Sequence, residues 1–260
     1  MWRAGMVLRH IAACLVQMVV RRVHDPEFGF LSQLADEPGL VLDVGANHGH
    51  SAISILVQTR KIRVYSLEPI RWLAVCLALV RLRYRRRFDF RMVAADRVTG
   101  EAFLSVPLGA GGRLSAWSSL EPREFEKDYL RETLDRASNR KWSLKRQRVR
   151  TVRIDDLGLN PDLVKIDVEG AEARALAGMQ ETLAHRRPAL MIEINNTHEW
   201  LPGLEQAGYV AWCYDPETGF RRYVPEDPQI NLILLHPESR CRLSRAISAL
   251  TRLQPPAEHR

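Results

Sequence analysis

Asp167, Glu169 and Glu172 crowd one short stretch of the chain, and Glu193, Asn195, Asn196 and His198 crowd another. Carboxylates gathered in this way do one of two things. They take or hold a proton beside a reacting hydroxyl, or they offer hard oxygens to a divalent ion. Asp167 directly follows the apolar run Leu163 to Ile166, and Glu193 lies at the end of the run Ala189 to Ile194. Both therefore fall at the carboxyl ends of strands, where open parallel sheets bind their ligands. Asp167 and Glu193 are the expected catalytic groups, with His198 as a further base whose ordinary pKa suits neutral pH. Asp167, Glu169 and Glu193 together would also suit a divalent ion, although no spacing here requires one. For Glu172 an equally good reading is favourable charge at a helix N-terminus. Lys165 interrupts an apolar strand and is expected to pair with one of these acids.

A second chemical feature lies upstream. Val41 to Val44 is an apolar strand with Asp43 near its end, and Gly45-Ala46-Asn47-His48-Gly49 turns from it into a helix. Glycines at such a turn let backbone approach a ligand, and the helix start presents amides to a carboxylate or phosphate. The spacing is not that of a dinucleotide fingerprint, which needs glycines at fixed steps beneath a pyrophosphate. Asp43 is expected to repel pyrophosphate and to suit an amine or a sulfonium. The next strand ends in Ser66-Leu67-Glu68-Pro69, which places Glu68 where an acid can accept two ribose hydroxyls.

The elements that must carry these groups follow from periodicity. Short β-rich runs at Leu40 to Val44, Arg63 to Leu67, Phe88 to Ala94, Leu163 to Ile166 and Ala189 to Ile194 alternate with helical stretches at His50 to Thr59, Ile70 to Arg85 and Glu169 to Leu183. That alternation implies βαβ units and a mostly parallel sheet. Tyr209 to Tyr214 and Phe220 to Val224 read as a hairpin, with Ile230 to Leu235 as another strand, so an antiparallel edge is expected. Between Gly109 and Arg150 a stretch opens with Gly109, Gly111 and Gly112 and becomes a charged helical piece ending in Arg140-Lys141 and Lys145-Arg146. A connection of that length is expected to be a lid or substrate-facing insertion.

DVGANHG at Asp43 to Gly49, LEP at Leu67 to Pro69 and VKIDVEGAE at Val164 to Glu172 resemble the FkbM-type methyltransferases, and Arg187-Pro188 leading to Met191-Ile192-Glu193 fits the same pattern. The resemblance covers roughly Val41 to Leu235. It implies a Rossmann-like class I fold: α/β, a mostly parallel seven-stranded sheet with helices on both faces and an antiparallel C-terminal edge. It implies S-adenosylmethionine as cofactor, held by Asp43, Gly45, Asn47, Gly49 and Glu68, with Ala95 and Asp96 near the adenine. The activity it implies is O-methylation of a hydroxyl on a sugar, glycolipid or secondary metabolite, that is, a small-molecule or glycan acceptor.

Residues 1–38 are then expected to form an N-terminal helical segment, 39–238 the methyltransferase domain with its insertion at about 109–150, and 239–260 a C-terminal helix and disordered tail. The 260 residues are 46% apolar, ample for one core, and the formal charge of +7 comes almost wholly from arginine. Arg81, Arg83, Arg85, Arg86 and Arg87 and the basic stretch Arg140 to Arg150 motivate nucleic acid methylation as the alternative, but such runs are usually solvated faces and no nucleic-acid module accompanies them. A cofactor-binding or interaction protein of the same fold without turnover is the non-enzymatic alternative. Cys14, Cys76, Cys213 and Cys241 lie far apart with no metal-ligand spacing, and are read as reduced thiols of a cytoplasmic protein. Ile11 to Val20 is too short to cross a bilayer and is followed by Arg21-Arg22. The segment is expected to pack on the main domain, with a basic amphipathic helix on a membrane surface as the alternative.

Overall fold

In a computed structural model residues 4–109, 112–113, 115–139, 141–225 and 230–252 are described. Gly111 and Arg140 of the expected insertion, and the tail from Leu253, lie outside them. The chain opens with helix α1 (Ala4–Val20) and a 3-10 segment (Pro26–Leu34), then runs β1 (Gly39–Val44), α2 (His50–Gln58), β2 (Ile62–Leu67), α3 (Ala74–Tyr84) and β3 (Phe88–Arg91). Next come β4 (Ala94–Ala95), β5 (Gly100–Gly109), β6 (Gly112–Arg113), α4 (Asp128–Ser138) and β7 (Trp142–Val152). The chain continues through β8 (Leu163–Ile166), α5 (Glu172–Ala177), α6 (Gln180–His185), β9 (Ala189–Glu193) and α7 (Thr197–Gln206), and ends in β10 (Val210–Asp215), β11 (Gly219–Arg222), β12 (Asn231–Leu235) and α8 (Arg242–Arg252).

The main sheet has the order β11-β10-β12-β9-β8-β1-β2-β3. Its β9-β8-β1-β2-β3 half is parallel, and β12, β10 and β11 complete it antiparallel. Eight strands rather than seven are present because both arms of the C-terminal hairpin join the edge. β1 and β8 pair with Asp43 opposite Lys165 and Val44 opposite Ile166. The two chemical stretches of the sequence thus end side by side. The strand interiors are apolar on both faces, as a helix-covered parallel sheet requires: Val41, Leu42, Val44, Leu163, Val164 and Ile166 are all buried.

Three elements depart from the sequence expectation. The run Phe88 to Ala94 breaks after Arg91, and its end forms β4, which pairs with β7 in a second, four-stranded sheet of order β4-β7-β5-β6. The charged stretch between Gly109 and Arg150 is only partly helical: α4 stops at Ser138, Asn139 takes a left-handed φ of 52°, and Lys145 and Arg146 lie in β7. β7 escaped notice because its first half is solvated on both faces, so it lacks the alternation that marks a half-buried strand. The helix read from Glu169 begins only at Glu172, because Glu169 and Gly170 have φ of 55° and 89°. It also breaks at Gly178, where a Cβ would stand 2.2 Å from the Asp96 carbonyl oxygen.

Candidate active site

A cavity of about 250 Å³ opens at the carboxyl ends of β1, β2, β8 and β9. Gly45 and Asn47, Leu67 to Ile70, Val93 to Ala95, Asp167 to Glu169 and Glu193 line it. Two further segments add walls: His24 and Asp25, which follow α1 and which the sequence reading did not place there, and Ala116, Ser118 and Leu120 of the stretch expected to face the substrate. His24 and Asp25 carry no local signal, since tertiary folding alone brings them over the sheet. Asp43, Gly49, Asp96 and His198 do not line the cavity.

The loop after β1 is held by close packing. Gly45 has φ of 85°, and a Cβ there would stand 1.8 Å from the carbonyl oxygen of Asp167. Only glycine lets β1 and β8 run out side by side. Gly45→Ala is expected to cost about 3 kcal/mol, or roughly 5–10 °C in Tm, which a thermal melt would read. Gly49, with φ of 96°, caps α2 and packs on Val80 and Leu77.

Glu68 is 4% exposed, and its carboxylate accepts the backbone amides of Asn47 at 2.8 Å and Ile70 at 2.7 Å. Each oxygen keeps a further lone pair, and Glu68 lines the cavity. Burial pushes this carboxyl up to about 7, against the pull of the two amides. Asp43 is fully buried, and its oxygens accept the hydroxyls of Ser51 and Ser66 at 2.8 Å each, with the Lys165 ammonium at 3.8 Å. Asp96 is equally committed, in a two-pronged ion pair with Arg174 at 3.0 and 2.7 Å. Both acids support the loops that line the cavity, rather than facing it as the sequence suggested.

At the other end of the cavity, oxygens of Asp167, Glu169 and Glu193 lie within 4.8 Å of one another. Lys165 donates to Asp167 at 2.9 Å. Burial opposes ionisation of Asp167, but this ammonium outweighs it and holds the carboxyl below its usual range. Glu193 has no such partner. Burial, the Asp167 charge and Glu169 push it up to about 11, so it is protonated at neutral pH and hydrogen-bonded to Asp167. Like charges this close separate into one ionised and one neutral carboxyl. Glu169 is likewise raised by burial and by Asp167. Glu172 turns back to accept the amides of Gly170 at 3.1 Å and Val168 at 3.3 Å, which makes it a brace for this loop. Beyond the cavity, Asn196 donates to Glu124 at 2.6 Å and Glu124 pairs with Lys127 at 2.7 Å, tying the loop after β9 to the segment before α4. His198 sits on α7, 79% exposed, with Glu199 at 3.9 Å.

These shifts set a pH dependence. Glu68, Glu172 and Glu193 bind protons more tightly folded than unfolded, so the stability they contribute is full below their ordinary value of 4.5. It fades as pH rises through about 7 for the first two and about 11 for the third. His48, which burial holds neutral down to about 4, pulls the other way only below 6.5. The ligand-free protein is therefore expected to gain stability from pH 8 to 6.5, by about 1.4 kcal/mol per pH unit for each proton taken up. Melts across that window check it, and Glu193→Gln should flatten the slope.

A family model described as the methyltransferase FkbM domain matches residues 43–211. Among solved structures, the chain is similar to the methyltransferase FkbM of Methylobacillus flagellatus, with 22% identity and a TM-score of 0.50 over 82% of this chain and 48% of that one. It spans about half the length of that protein. A second similar structure is an O-methyltransferase from Bacillus cereus in complex with SAH, with 11% identity and a TM-score of 0.41 over 87% of this chain and 89% of that one. The search of curated proteins returns no match.

Proposed function

Because the chain belongs to the FkbM methyltransferase family, whose model spans residues 43–211, we propose that it moves a methyl group from S-adenosylmethionine to a hydroxyl oxygen of a sugar, glycolipid or secondary metabolite. The observation that carries this reading is one cavity holding an amide-braced acid, Glu68, at one end and, at the other, Asp167 beside the Lys165 ammonium with oxygens of Glu169 and Glu193 within 4.8 Å.

The cavity suits the cofactor. His50 Nδ1 and Ser118 Oγ line it as buried polar atoms with no partner, so a polar ligand completes them. Leu67, Val93 and Leu104 offer an apolar wall to a purine, and the open lone pairs of Glu68 suit ribose hydroxyls. When bound, S-adenosylmethionine supplies an electrophilic methyl group on a cationic sulfur, which the surrounding carboxylates favour. Asp167, ionised and oriented by Lys165, accepts the proton that the acceptor hydroxyl loses as its oxygen takes the methyl group. Glu193 donates to Asp167 and so fixes its orientation. Ala116, Ser118 and Leu120 of the insertion form part of the cavity wall.

Assaying methyl-labelled S-adenosylmethionine against hydroxylated sugars, glycolipids and small phenols, with total RNA alongside, tests this. Label on hydroxyl oxygen supports the reading, and label on RNA alone contradicts it. Chelator treatment separates the two ways of neutralising the acid cluster: unchanged turnover fits the shared proton, whereas loss restored by magnesium would put an ion between Asp167, Glu169 and Glu193.

A further inference from the structure

Helix α1 carries apolar residues on two faces. Inward, Val7, Ile11, Cys14 and Met18 pack on the core, and beside them the His10 ring packs edge-on against His48 at 5.2 Å and Trp72 at 5.0 Å. Cys14 donates to the His48 carbonyl at 2.9 Å, and Gln17 donates to the His50 carbonyl at 2.9 Å and the Ser54 hydroxyl at 3.2 Å. A second apolar stripe faces outward. Leu8 is 63% exposed, Val19 81% and Val20 66%, with Leu15 and Val16 between them on the same face. A surface helix of a water-soluble domain normally keeps this outer face polar. α3, which packs on α1, adds exposed Val75 and Leu82.

Charge says what covers this face. Arg9 and Arg22 flank the outer stripe of α1, while Arg21 turns in to donate to the Val57 carbonyl; Arg83, Arg85 and Arg86 are exposed on and just after α3, where Arg81 pairs with Asp89 at 3.4 Å. Neither residues 4–22 nor 74–88 contain an acid. A second copy seated face to face would oppose two arginine rims, whereas an anionic surface neutralises one. α1 has 17 residues, and among the described residues no helix is long and apolar enough to cross a membrane. We propose that α1 lies along an anionic lipid surface, with Leu8, Leu15, Val16, Val19 and Val20 at the acyl boundary and the arginines at the headgroups. The seat is independent of the methyl-transfer reading.

The test is co-sedimentation of the full chain with vesicles of phosphatidylcholine mixed with phosphatidylglycerol, against phosphatidylcholine alone, at low and high salt. The wild type is expected to bind the anionic vesicles and to lose binding as salt rises. The double variant Val16→Asp with Val19→Asp, both positions being exposed, should bind at least about tenfold more weakly at unchanged circular dichroism. Arg9→Gln with Arg22→Gln should weaken binding to anionic vesicles selectively. Equal sedimentation of wild type and the aspartate variant, or none by either, overturns the proposal. So does a wild-type dimer in velocity sedimentation that the aspartates dissolve, which would assign the face to a second copy.

Discussion

Asp167→Asn is expected to lower kcat by about 10²–10⁴-fold, while the dissociation constant for S-adenosylmethionine changes only a few-fold. Asp167 is the one acid of the cavity cluster whose carboxyl is held below its usual range, because Lys165 donates to it at 2.9 Å. Asparagine keeps the shape and removes the acceptor. Glu193→Gln is the informative companion, since an amide copies the donor half of the protonated carboxyl that Glu193 holds at neutral pH. It should retain activity to within about tenfold if Glu193 orients Asp167, and fall as far as Asp167→Asn if Glu193 is the proton acceptor. His198→Ala, at a position 79% exposed outside the cavity, should leave kcat unchanged. Steady-state kinetics on the three variants distinguish these roles.

Lys165→Met produces the largest loss of stability, about 3–5 kcal/mol in denaturant unfolding. Lys165 is 2% exposed and lies between Asp167 at 2.9 Å and Asp43 at 3.8 Å. Methionine fills the same space and leaves Asp43, fully buried, with only its two serine hydroxyls. Removing one partner of a buried charge cluster costs more than the cluster itself contributes, because the remaining charge stays desolvated. Adding Asp43→Asn to Lys165→Met should therefore recover part of the loss, where two independent lesions would add.

Those two residues also show how far sequence reading reaches. That Lys165 pairs with an acid was legible, because a lysine on a central parallel strand must be compensated. So were the β1 turn, the position of Glu68 and the parallel half of the sheet, since each is written in a contiguous run of apolar and glycine residues. What Asp43 and Asp96 do was not. Asp43 looked ligand-facing from its place before the turn, and the resemblance put Asp96 near the adenine, yet Asp43 is claimed by Ser66 and Lys165 on neighbouring strands, and Asp96 by Arg174, 78 residues away. β5 and β7 were missed for a related reason. They pair with each other over Gly100 to Gly109, while the arginines and lysines of β7 conceal the strand period. The His24 and Asp25 walls come from outside every recognisable motif and reach the cavity through tertiary packing alone.

Calorimetric titration of the folded protein with S-adenosylmethionine and S-adenosylhomocysteine, with NAD as the control, tests most directly whether S-adenosylmethionine occupies this cavity. Saturable binding of both, weakened about tenfold or more by Glu68→Gln and absent for NAD, is the expected result. No heat from either compound in a sample that melts cooperatively would contradict it.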